Sequence, residues 1–183
     1  MIRSRAGRRW MLVLPLCGTA VLACDRAEPA AEPESQPSGF TAPPAAVSFD
    51  TATVTFTSGT GQQVLMPVEI AERNDQRAFG LMDRDELPQD RGMIFLYDDV
   101  QPPSAGFWMY RTRIPLDIAY FDGAGRIVAI EQMMPCASLD PSRCPSYSPG
   151  VPFFGAVEAN RGYFARHAIR VGDSLTLTGR VGG

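Results

Sequence analysis

Hydrophobic and polar positions alternate in short runs through most of the chain after residue 49. Thr51–Thr57 is β-branched and alternating, Ser58-Gly59-Thr60-Gly61 reads as a turn, and Val64–Ile70 resumes the extended pattern. Together they predict a hairpin. Further strand-like runs lie at Met93–Tyr97, Gly106–Tyr110, Ile114–Phe121 and Arg126–Gln132, the last two joined by the turn Asp122-Gly123-Ala124-Gly125. Phe153–Ala159 and Ser174–Thr178 complete the set. Two stretches break the pattern. Asn74 is a plausible N-cap for a short helix over Asp75–Met82, with Arg77 and Arg84 on one of its faces, and Arg161–Ala168 reads as a second helix. Many short strands between turn signals predict a mainly β domain over residues 49–183: a compact antiparallel sandwich or barrel with one or two short helices.

The first 48 residues follow other rules. Arg3, Arg5, Arg8 and Arg9 precede an apolar run, Met11–Ala23. Thirteen helical residues reach only about 20 Å, short of the roughly 30 Å hydrocarbon core, so residues 1–23 read as a secretion signal. Val21-Leu22-Ala23-Cys24 resembles the bacterial lipoprotein box, which implies acylation of Cys24 and a membrane partner reached through lipid. Residues 24–48 are rich in Ala, Pro, Glu and Ser and too poor in large apolar groups to offset ordering entropy, so they are expected to form a disordered tether. The expected location is the cell envelope, with the domain facing the periplasm.

Composition narrows the chemistry. The chain has 183 residues, no Lys, and a net charge of −3. Without the four leader arginines, 13 basic residues face 20 acidic ones, a net −7. Such acidity argues against a nucleic-acid partner, and the absence of Lys excludes a Schiff base or a phosphate-loop lysine.

Two segments carry a recognisable pattern. Arg77-Ala78-Phe79-Gly80-Leu81-Met82-Asp83-Arg84, with Leu87 and Gly92-Met93-Ile94-Phe95, is the first. Phe107-Trp108-Met109, Thr112 and Pro115-Leu116-Asp117-Ile118 form the second. Together they resemble the bacterial and archaeal family known as domain of unknown function 192, across roughly Val64–Leu177. The resemblance implies a compact, mostly β domain and no particular reaction. Family members often carry Asn where this chain has Arg111.

Several residues can carry chemistry. Cys136 and Cys144 lack redox or zinc-knuckle spacing, and in an exported chain they are expected to form a structural disulfide worth about 2–3 kcal/mol. The single histidine, His167, has no second histidine to complete a metal site or a Ser-His-Asp triad, so a surface or helix-end role is expected. In the run from Ile114, Leu116, Ile118 and Tyr120 face one way while Asp117, Ala119 and Phe121 face the other. Asp117 thus shares an apolar face, as does Glu158 in its own strand, and a carboxylate there requires a partner. Trp108 can pack in the core or form a stacking wall. The leading expectation is a binding or interaction domain using Arg77, Arg84, Trp108, Thr112, Asp117 and Glu158 for a small ligand, an envelope polymer or a protein. The alternative is a hydrolase of envelope glycan with Asp117 and Glu158 as acid and base. A second alternative is copper(I) held by thioethers among Met82, Met93, Met109, Met133 and Met134. No metal site or cofactor is otherwise expected.

Overall fold

A computed structural model describes residues 47–182. The leader, Cys24 and the tether up to residue 46 lie outside the described residues. Among the described residues nine strands form: β1 (Asp50–Thr57), β2 (Gln63–Ala71), β3 (Gly92–Gln101), β4 (Phe107–Trp108), β5 (Leu116–Phe121), β6 (Ile127–Met133), β7 (Ser146–Tyr147), β8 (Phe153–Asn160) and β9 (Ser174–Val181). Helix α1 (Asn74–Phe79) follows β2, and α2 (Tyr163–Arg166) follows β8. Seven strands make one sheet in the order β6-β5-β8-β3-β2-β1-β9, and β4 pairs with β7 in a separate ribbon.

The two expected hairpins form, β1 with β2 and β5 with β6. Asp122 Oδ1 organises the second by accepting from Ala124 N–H and Arg126 N–H, both at 2.9 Å. The sheet also curls until its edges touch. Arg126 bridges Ser174, Leu175 N–H donates to Gly125 O at 2.7 Å, and Ile127 N–H donates to Asp173 O at 2.8 Å. It is a partly closed barrel.

One pairing departs from the antiparallel expectation: β2 and β3 run parallel. A parallel neighbour requires a crossover, and residues 72–91, carrying α1, supply it. The helices are also shorter than their sequence patterns predict. Gly80, at φ +51, ends α1 and sends its N–H back to Gln76 O at 2.8 Å, which leaves Arg84 beyond the helix. Arg73, not Asn74, takes the N-cap position. Buried Gln76 anchors this turn: its Oε1 accepts from Arg73 N–H, and its Nε2 donates to Ser48 O at 2.7 Å.

Side chains alternate across the sheet as the pattern of β5 predicts, yet all six of its residues are buried. Ala119 and Phe121 join an inner core with Val54, Phe56, Val157 and Phe164. Leu116, Ile118 and Tyr120 join an outer core with Met93, Phe95, Met109 and Met133. Strands enclose the first; the β4–β7 ribbon and the connecting loops cover the second. Gly92 permits close packing of β3 on β8, since a Cβ there would lie 2.5 Å from Glu158 O and 2.6 Å from Met66 Sδ.

Candidate functional site

The six candidate binding residues do not converge. Arg77 is occupied within its own neighbourhood: Nη1 donates to Leu96 O at 2.9 Å and to Glu72 O, Nη2 bonds Asn74 Oδ1, and the guanidinium lies 4.9 Å from the Tyr97 ring centroid. It clamps α1 to β3. Arg84 sits 2.5 Å from Glu69 Oε2 and over the Phe49 ring, in a different cleft.

Asp117 and Glu158 leave the sheet on opposite faces. In the β5–β8 register Asp117 faces Ala159 while Ile118 faces Glu158, so the two carboxylates are on adjacent pairs of opposite parity. Asp117 is 2% exposed, and its Oδ2 accepts from Gly162 N–H at 2.8 Å, at the entry to α2. Burial raises its pKa, opposed by the Gly162 and Phe164 N–H groups and by Arg166 and Arg161. Glu158 is 4% exposed among outer-core side chains, without a hydrogen-bond or ion-pair partner among the described residues. Burial pushes its carboxyl up to about 8. An acid–base pair across one substrate requires a shared cleft, and the sheet stands between these two groups.

The methionines disperse similarly. Met93, Met109 and Met133 fill the outer core, Met82 is half-buried, and Met134 lies at the surface against Arg161. Cys136 and Cys144 are disulfide-bonded. His167 closes α2 and packs on Tyr163, 4.4 Å between ring centroids. Among the described residues no group of three or more His, Cys, Asp or Glu side chains is placed to hold a metal, and no helix is long and apolar enough to cross a membrane.

Trp108 and the segment after it offer the most distinctive surface. Phe107 points inward, edge-on to Phe95 and Tyr120 at 4.8 and 5.7 Å. The next residue of an extended strand must therefore point outward, and Trp108 is 46% exposed, 5.6 Å from the Tyr110 ring. The ribbon that presents it is pinned: Tyr120 O–H donates to Tyr147 O at 2.6 Å, and Tyr147 Oη accepts from Met134 N–H at 3.1 Å.

Tyr110 walls a cleft of about 500 Å³, with the Asp83 loop on one side and the disulfide loop from Pro135 to Leu139 on the other. Buried Thr112 contributes to its floor. Asp83 and Arg111 both adopt left-handed backbone, φ +60 and +56. Asp83 N–H donates to Arg111 O at 2.9 Å, and the Arg111 guanidinium bonds the Asp83 carboxylate in return. Arg113 adds a 2.7 Å bond to Asp85. Left-handed conformations of non-glycine residues cost about 1–3 kcal/mol and concentrate at functional sites. The residue pattern singled out Trp108 and Thr112 but missed Asp83, Tyr110 and Arg113. No local signal marks them, because the Asp83–Arg111 contact joins segments 28 residues apart.

Residues 54–177 match the model of the family described as Uncharacterized ACR. The structure is similar to that of a Sinorhizobium meliloti 1021 protein provisionally described as a transcription regulator: 28% identity and a TM-score of 0.65 over 73% of this chain and 98% of that one. It is also similar to a protein of unknown function from Novosphingobium aromaticivorans DSM 12444, at 30% identity and a TM-score of 0.58 over 87% and 99% of the two chains. No curated protein matches the chain.

Proposed function

The chain belongs to the domain of unknown function 192 family, and on that premise we propose that it is a non-catalytic binding domain, tethered to the cell envelope by an acylated Cys24, that recognises an envelope glycan. The observation that carries this reading is the exposed Trp108 ring, next to Tyr110, beside a cleft walled by the paired Asp83 and Arg111. The exposed Trp108 ring on a pinned ribbon, with the half-buried Tyr110 ring tilted 40° beside it, presents an aromatic surface at little entropic cost. Asp83, Arg111 and Arg113 line the cleft as an ion-paired set of planar donors and acceptors, chemistry suited to sugar hydroxyls. The net negative charge of the chain favours such a polymer over a nucleic acid. The hydrolase reading has little support, since Asp117 and Glu158 occupy opposite faces. Copper(I) has no more, with three of its five thioethers fully buried.

Titration with soluble peptidoglycan fragments, read by Trp108 fluorescence, is expected to show saturable quenching. Trp108→Ala should weaken binding at least tenfold, measured by calorimetry, while altering stability by less than about 0.5 kcal/mol. Fluorescence that stays flat, or an affinity untouched by Trp108→Ala, removes the glycan site. The anchor is tested separately: a palmitate analogue should label the wild type and not Cys24→Ala.

A further inference from the structure

We infer that a second, independent site lies on the outer face of β1 and β2 and takes a small organic carboxylate. A cleft of about 440 Å³ opens there beneath the loop that carries Arg84 and Arg91. Ala52 and Val54 point into the inner core, so Thr51 and Thr53 point outward and line the cleft. The volume falls within the range of small-molecule pockets.

The chemistry of the lining is specific. Arg84 is held in place by Glu69 and by the Phe49 ring, 5.9 Å from its guanidinium. Its side chain is 28% exposed; Nη2 is paired with Glu69, while its other N–H groups have no acceptor among the described residues. Arg91 is exposed at the opposite rim, and its guanidinium likewise has no hydrogen-bond or ion-pair partner among those residues. Two arginines against one glutamate leave this cleft positive on a chain whose net charge is −3. Guanidinium groups match carboxylates in a bidentate fork. Leu87 and Pro88 add an apolar wall, which favours an organic acid over a bare inorganic anion. The β1–β9 pairing shifts register between Thr51 and Thr53 at the edge of the cleft, where Gly179 has φ +65; such bulges are over-represented beside binding sites.

Amide NMR of the full chain titrated with benzoate tests the inference through the N–H groups of Thr51, Thr53 and Gly92. Saturable shifts are expected with benzoate and none with its neutral isostere benzamide. Arg91→Ala, a surface change that leaves the fold intact, should weaken benzoate binding about tenfold; Arg84→Gln should abolish it. If Arg84→Gln does not fold, Arg91→Ala alone decides. Absence of saturable shifts, an equal response to benzamide, or an unchanged affinity in Arg91→Ala overturns the site. Inorganic phosphate binding as tightly as benzoate overturns the organic-acid assignment.

Discussion

Two buried carboxylates, Asp117 and Glu158, occupy neighbouring cross-strand pairs of one sheet and meet opposite surroundings. Asp117 lies on the inner side, where the chain turns into α2 and supplies backbone N–H groups to its carboxylate. Glu158 lies on the outer side, among the apolar residues beneath the loops and ribbon, with no such donor among the described residues. Burial raises both pKa values, but only Asp117 has hydrogen bonds and nearby arginines opposing the rise. Depth in the protein does not by itself decide the state of a carboxyl group. The presence of donors fixed by neighbouring backbone does.

The sharpest test of that contrast is a pH series. The folded-state pKa of Glu158, about 8, lies above the ordinary value of 4.5. The folded chain therefore keeps a proton that the unfolded chain releases. Stability should fall as pH rises from about 4.5 to about 8 and then level off, with a slope approaching about 1.4 kcal/mol per pH unit. Urea unfolding at several pH values should show this loss, and Glu158→Gln should remove most of it. Equal slopes in the two proteins would mean that the carboxyl is hydrated in the folded state.

Next in size is the outer cover. Replacing Cys136 and Cys144 by Ser should cost about 2–3 kcal/mol in chain-entropy terms. Hydrogen exchange should accelerate in residues 134–147, including the Cys136 N–H that donates to Met109 O at 3.3 Å. The inner core, enclosed by strands, should keep its protection. Uniform loss across both cores would show that they unfold as one unit.

The smallest effect belongs to the compensated carboxylate. Asp117→Ala should destabilise by about 1–3 kcal/mol, since it strands the Gly162 N–H. Asp117→Asn, which retains an acceptor, should cost less. Circular-dichroism melting curves compare the pair, and equal losses would point to packing instead of the hydrogen bond.

Much of the domain is legible in the sequence. The hairpin turns at Ser58–Gly61 and Asp122–Gly125 announce themselves because their chemistry is local, and the strand pattern of Leu116–Phe121 assigns its two faces correctly. The candidate site was legible only in pieces. Arg77 and Arg84 share a face only if the helix continues past Gly80, and it does not. Trp108 reads first as core, and only the inward position of Phe107 turns it to the surface.

Residue pattern alone establishes the mainly β class, the turns, the disulfide partners and the alternation along β5, because each depends on neighbours a few residues away or on the scarcity of cysteine. The parallel pairing of β2 with β3, the separation of Asp117 from Glu158 by the sheet and the meeting of Asp83 with Arg111 across 28 residues come from the fold. Those outcomes depend on strand order and register, which bring distant segments together and which no local pattern encodes.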